Sequence, residues 1–313
     1  MKIYKVDALV NLMILCALTE EYQVVSTIMG SLANLREEKD GLRVYSYLTS
    51  SGIEMSIGVA SANLQGASTM SAVAARQFER YKPSCAALIG IAAAVDTDEL
   101  SLGDVPFANQ VVGTDDMSIA DGVLTFRTEG FQCDSRVRTA FGALRSDVNR
   151  YEAWQIDCLI NLPILISELN ILRRIQITQP TGLAAPHILG GTVAGTPFLI
   201  RDSNFRDDLR KSKPEAANYR KIQVSQPLHP KLLSTEMESH GFMRAASEAQ
   251  VPAVVLKGIS DDGDENKSEL EKETGGFYRA FACSNALRAL LFSLETNPFS
   301  ISEESINPKN AFE

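Results

Sequence analysis

The chain has cysteines and histidines but no pairing among them. Its five cysteines, Cys16, Cys85, Cys133, Cys158 and Cys283, share no spacing that frames a disulfide set or a zinc site, which excludes a stapled secreted scaffold and a thiolate-held metal domain. Three histidines, His187, His229 and His240, show no partner spacing for a metal or a nucleophile triad, so no metal is expected. There is no glycine-rich phosphate loop of the Walker or dinucleotide type. Positive charge is in short supply: 30 Lys and Arg against 39 Asp and Glu give a net charge of −9 and a pI near 5.0. Nucleic acid and anionic membrane are therefore excluded as main partners, because nothing would neutralise a run of phosphates. A nucleotide needs only a few local cations and stays allowed.

Long apolar runs are also scarce. The stretch from Met1 to Leu18 imitates a signal peptide, but Asp7 and Asn11 interrupt it, no small-residue cleavage site follows, and it runs into acids. It is expected to be the first strand with a short extension, and no other segment offers the ~20 apolar residues of a membrane helix. The cysteines, of which Cys16 and Cys85 border apolar runs, fit buried thiols in a reducing cytoplasm, so a cytoplasmic location is expected.

What is present is enough apolar material for a large core: 313 residues, 45% hydrophobic. Periodicity predicts strands over 14–18, 44–49, 55–60, 86–92 and 105–112, with helices over 20–29 and 66–81. This alternation is that of a layered α/β domain. Residues 114–186 break the pattern with an Asp115-Asp116 turn, a hairpin around 124–126, a helix near 137–144 and an apolar run over 156–175 interrupted by Pro163. They are expected to form a partly helical insertion, a lid or oligomer contact, within a domain spanning 1–296. Residues 201–221 read as a solvated charged tract, and 297–313 as a disordered tail.

The densest signal lies in residues 235–261. Glu236, Met237 and Glu238 are expected at a helix start, Phe242, Ala245, Ala246 and Ala249 follow at helical spacing, and Val254, Val255 and Leu256 read as a buried parallel strand. Asp261 then falls beyond the carboxyl end of that strand, where open α/β sheets present their chemistry.

The run Glu236-Met237-Glu238 followed by Lys257-Gly258-Ile259-Ser260-Asp261 resembles the signature of the purine nucleoside phosphorylase and methylthioadenosine/S-adenosylhomocysteine nucleosidase superfamily. Five further pieces agree in order: residues 13–21 with the first strand and its acid-rich turn, Lys82-Pro83, residues 87–92 with a small-residue loop, Leu102-Gly103-Asp104-Val105, and Gly195-Thr196-Pro197-Phe198-Leu199. The resemblance covers roughly residues 12–110 and 187–294. It implies a nucleoside phosphorylase-like three-layer α/β/α domain with a mixed central sheet, acting as a homo-oligomer without a cofactor on a purine nucleoside or nucleotide.

Cleaving an N-glycosidic bond needs a proton for the leaving base, a hold on the ribose and an aimed nucleophile, and carboxylates suit all three tasks. The resemblance implies Asp261 as general acid toward purine N7, Glu238 on the ribose hydroxyls and Glu21 on the attacking water. Met237, Glu236, Ser260 and Ile91 would line the substrate, with Leu199 beside Phe198 stacked on the base. His240, two residues past Glu238, would support the site from behind. Phosphorolytic relatives of the hexameric bacterial type carry an arginine before the small-residue loop, where this chain has Ala87-Leu88-Ile89-Gly90-Ile91, so water is the expected nucleophile and a phosphorylase the alternative. Alanines at 92–94 replace the glycines usual in that loop, which leaves open a weakened nucleotide-binding sensor. Residues 258–267, Phe277-Tyr278-Arg279-Ala280-Phe281-Ala282 and Asn285-Ala286 resemble nucleosidase domains attached to bacterial and fungal immune or signalling proteins. Some of these cleave ATP, and they imply a defence or signalling partner. Lys257, Lys267 and Arg201 are the candidate phosphate ligands.

Overall fold

A computed structural model describes residues 10–120, 123–197, 199–211, 222–224 and 231–296. In chain order the strands are β1 (Leu12–Cys16), β2 (Asn34–Lys39), β3 (Leu42–Leu48), β4 (Glu54–Ser61), β5 (Cys85–Ala94), β6 (Val105–Ala120), β7 (Val123–Gln132), β8 (Ile188–Gly195), β9 (Ile222–Val224), β10 (Leu232–Glu236) and β11 (Ala253–Asp261). The helices are α1 (Thr19–Leu32), α2 (Ala67–Tyr81), α3 (Ser135–Ser146), α4 (Val148–Ile160), α5 (Leu162–Arg173), α6 (Ser203–Lys211), α7 (Ser239–Glu248), α8 (Lys267–Thr274) and α9 (Phe277–Thr296).

Period-two alternation along the central strands sorts the core into two layers. In β1, Leu12, Ile14 and Cys16 pack with Val24 and Ile28 of α1 and with Leu287 and Leu290 of α9. Met13 and Leu15, on the other face, pack with Met70 and Phe78 of α2 and Phe242 of α7. Helices therefore cover both faces of a mixed sheet, the three-layer α/β/α arrangement expected. Part of that sheet closes on itself: β5 pairs with β11, β11 with β6, β6 with β8, β8 with β10, and β10 again with β5. This ring gathers the ends of β5, β10 and β11 around one opening.

Three details depart from the sequence expectations, and a fourth, at Pro163, agrees with them. Residues 34–39 form an edge strand that was not anticipated, since Asn-Leu-Arg-Glu-Glu-Lys is exposed throughout and carries no buried face. Its trace was the turn Asp40-Gly41, both at positive φ, the dipeptide of a tight hairpin. Glu236 ends β10 and does not open a helix; α7 begins at Ser239 with Glu238 as its N-cap. Ala92, Ala93 and Ala94 belong to β5, so their methyls are sheet side chains and not loop fillers. Pro163 sits in the first turn of α5, where its missing N–H would have had no partner, so it marks a restart of the helix.

Residues 114–120 and 123–132 extend the β6–β7 hairpin, and α3, α4 and α5 follow. The stretch Val148–Arg173 has the length and apolar composition of a membrane span, contrary to the sequence expectation. One side of it, with Trp154, Cys158, Leu165 and Leu169, is packed into the core, while Ile156, Ile160, Ile164 and Ile171 face outward. The expected tail, residues 297–313, lies outside the described residues.

Candidate active site

Four carboxylates converge on a cleft at the open end of the strand ring. Its walls are Leu18, Glu21, Gln65, residues 91–93, Thr196, Leu199, Ile200, residues 235–238, Ser260, Asp261 and Lys267, enclosing about 480 Å³ including the part open to solvent.

Glu21 comes from the first turn of α1, where an acid is favoured by the helix dipole. Its Oε2 accepts the N–H groups of Ala17 and Leu18 at 2.9 and 3.0 Å, capping its own helix, and its Oε1 accepts the N–H of Ile91 at 2.9 Å. The carboxylate thus ties β1's end to β5.

Glu236 and Glu238 divide their work. Glu236 points under α7, accepting the N–H of Glu238 at 3.0 Å and of Ser239 at 2.9 Å, together with the Ser239 hydroxyl. It satisfies orphan donors at the helix start and so fixes the residue two places on. The sequence expected Glu236 to line the substrate; it reaches the cleft, and most of its bonding capacity goes to α7. Glu238 turns toward α2, where Oε1 takes the N–H of Gly66 at 3.1 Å. The two helices meet closely there because α7 carries Gly241, whose absent Cβ would lie 1.8 Å from the Ala67 carbonyl oxygen.

Beneath both acids lies Lys257, with no accessible surface. Its Nζ is 3.1 Å from Glu236 Oε2 and 3.6 Å from Glu238 Oε2, the nearer contact being an ion pair off the direction of a good hydrogen bond. Burial alone would lower the Lys257 pKa, but Glu236, Glu238 and Glu21 outweigh it and hold the ammonium above its ordinary value. Burial pushes the Glu238 carboxyl up to about 7; Lys257 opposes this, while Glu236 and Glu21 add to it. Lys257 is therefore a counter-ion of the pocket floor, not the phosphate ligand considered from the sequence.

Asp261 stands at a β-bulge. Opposite β5, Ile259 pairs with Ala92 and Asp261 with Ala93, leaving Ser260 as the extra residue. Neighbours on a regular strand face opposite ways; the bulge lets Ser260 and Asp261 both line the cleft. Asp261 Oδ2 accepts the Ser260 hydroxyl and the Lys267 ammonium, each at 2.8 Å, and Oδ1 accepts the N–H of Gly263 at 3.1 Å. Lys267, the second lysine considered for phosphate, is thus engaged with the expected general acid. Arg201 lies exposed beside Ser268.

Met237, half-buried, and Ile91 line the cleft, as does Leu199, while Phe198 lies outside the described residues. His240 stays behind the site, its Nε2 3.1 Å from Glu129 and its ring against Phe131. Asp104 of the Gly-Asp-Val motif is structural: its oxygens accept the N–H groups of Ser101 and His187 at 2.9 and 2.7 Å, joining the starts of β6 and β8. Gln65, Gly66 and Ile200 were not singled out from the sequence as site residues, and Thr196 only as part of its motif. Lys257 was, but for another role, although a lysine inside Val-Val-Leu-Lys-Gly signals buried acids waiting for it. Among the described residues no group of His, Cys, Asp and Glu is arranged to hold a metal ion.

The fold is a nucleoside phosphorylase-like three-layer domain, shared with solved nucleosidases. Futalosine hydrolase of Helicobacter pylori superposes with a TM-score of 0.57 at 14% identity, over 92% of this chain and 97% of its own. The methylthioadenosine/S-adenosylhomocysteine nucleosidase of Neisseria meningitidis, complexed with methylthio-immucillin-A, gives 0.58 at 14% identity, over 91% and 98%. In sequence the chain is similar to a death domain-containing ATP nucleosidase of Amphimedon queenslandica, 23% identical over 236 residues, and to the ATP nucleosidase Cap17 of Escherichia coli, 24% identical over 217 residues. These alignments take in 74% and 67% of this chain but only 37% of each relative, so the chain spans little more than a third of their length. No family model matches the sequence.

Proposed function

We propose that this chain hydrolyses the N-glycosidic bond of an adenine nucleoside or nucleotide, releasing free adenine. The observation that carries this reading is the convergence of Glu21, Glu238 and Asp261 from three separate elements on one cleft. Asp261, steadied by Ser260, takes the purine side and serves N7. Glu238 receives the ribose hydroxyls. Glu21 orients and deprotonates water for attack at the anomeric carbon. Leu199, Ile200 and Met237 supply apolar wall, and Phe198 is assigned to stack on the base.

Water is the nucleophile in this reading on electrostatic grounds. Four carboxylates line the cleft, and its one lining cation among the described residues, Lys267, already has an anionic partner. A phosphate dianion entering there meets net repulsion.

The ATP nucleosidases to which the sequence is similar put ATP first among the substrates to try, within a nucleotide-depleting role in defence or signalling. The protein is taken to work as a homo-oligomer with a partner that controls it.

The test is chromatography of base released from adenosine, methylthioadenosine, S-adenosylhomocysteine, AMP and ATP, with and without phosphate, beside Asp261→Asn. Adenine released without phosphate by the wild type and not by Asp261→Asn supports the reading. Release only with phosphate makes the protein a phosphorylase, and binding without release makes it a sensor.

A further inference from the structure

The carboxyl group that this reading assigns to protonate the leaving base is already saturated with donors. Asp261 receives Lys267 Nζ and Ser260 Oγ on one oxygen and the Gly263 N–H on the other. Three donors, one of them a cation, fill the acceptor positions of this carboxyl group, so a proton that it hands to the base is drawn from a donor beside it. The nearest proton on a titratable group is on Lys267.

The placement of Lys267 is unfavourable in every other respect. It is nine-tenths buried, and it occupies the first position of α8, the helix end that repels cations. Burial removes water from its ammonium, and the contact that offsets this is Asp261. A lysine recruited only for the stability of α8 would not be put there.

We propose that Lys267 supplies the proton that Asp261 delivers, acting through the carboxylate as a positioning and proton-holding residue. This rests on the hydrolase reading above. As the C1′–N9 bond breaks, its electron pair goes to the base; Asp261 passes a proton to N7 and takes one from Lys267 Nζ, which becomes a neutral amine. Water forms the new bond to C1′ and gives its proton to Glu21. Solvent then reprotonates Lys267 and deprotonates Glu21, so one water is consumed and no other reactant is needed. The groups facing this relay are Asp262, whose carboxyl is pushed up by burial and then by Asp264 and Asp261, and Asp264, which holds Asn266. From α6, Arg206 grips the Asp262 carbonyl at 2.9 Å. None of these reaches Asp261 Oδ2 in its place.

The test compares wild type, Lys267→Met and Lys267→Arg on the best adenine substrate and on 4-nitrophenyl riboside, whose leaving group departs without protonation. Arginine keeps the ion pair but does not give up its proton near neutrality. Both variants are expected to lose about 10²- to 10⁴-fold in kcat for adenine release and much less on the nitrophenyl riboside. A Lys267→Arg variant with wild-type kcat on the adenine substrate overturns the relay and leaves the hydrolase standing. Equal losses on both substrates make Lys267 purely structural and also overturn it. A wild type that releases no base from any adenine substrate removes the hydrolase reading and the relay together.

Discussion

Glu21 occupies the space that a side chain at residue 90 would need: a Cβ on Gly90 would lie 2.4 Å from Glu21 Oε1. The close approach lets one carboxylate hold the N–H of Ile91 and cap α1 at once. Gly90→Ala therefore pushes Glu21 off its three donors. The expected result is a loss of base release of about 10²-fold or more, with destabilisation of about 1–3 kcal/mol from overpacking. Glu21→Gln keeps the shape, so it should lose turnover with a smaller change in the urea midpoint.

Glu238 should set the acid limb of activity. Burial raises its carboxyl to about 7 against the pull of Lys257, and in the proposed reaction only the ionised form accepts both ribose hydroxyls. kcat/KM is expected to fall about tenfold per pH unit below that value and to level off above it. Glu238→Gln should lose the limb as well as most of the activity. For folding the sign is opposite. A carboxyl raised in the native state contributes stability that is full below its unfolded value near 4.5 and is lost as pH rises through about 7. Urea midpoints of wild type against Glu238→Gln between pH 4 and 8 measure that slope.

Lys257→Met leaves Glu236 and Glu238 buried without their counter-ion. Breaking a buried ion pair from one side costs about 3–5 kcal/mol, and chemical denaturation should show a loss of that order. Glu236→Gln in the same background should recover part of it, because one uncompensated charge is then gone.

Gly241→Ala tests how Glu238, the proposed ribose ligand, is aimed. The new methyl would meet the Ala67 carbonyl, a backbone atom that has no rotamer to escape into, so α7 and α2 must separate. Glu238 then loses the Gly66 N–H. KM for the nucleoside should rise more than kcat falls, since the acid at Asp261 is untouched; initial-rate kinetics across a substrate series decide this.

The parts of this molecule legible in the sequence are those where local pattern and position coincide. Val254, Val255 and Leu256 read as a buried strand because all nine residues of β11 are buried, and Asp261 followed as the residue at its end. What escaped were relations across the chain. Glu238 and Gly66 are 172 residues apart, and nothing in either neighbourhood announces the other. Lys267 read as a candidate phosphate ligand, and only the folded chain shows that its ammonium ends on Asp261. Residues 34–39 failed for a different reason: an edge strand with no buried face has no alternation to read.

The extra residue at Ser260 makes the register of β11 work like a vernier. Sliding β11 by one position against β5 would exchange which of two neighbouring side chains stands over the cleft. It would also carry Lys257 out from under Glu236 and Glu238 and bring a side chain into the place of Gly258, where a Cβ would lie 2.0 Å from the Ala282 carbonyl oxygen. The setting is thus held twice, by the packing at Gly258 and by the hydroxyl, the Gly263 N–H and the lysine that grip Asp261. A one-residue insertion or deletion between 253 and 258 therefore disturbs packing and cleft together.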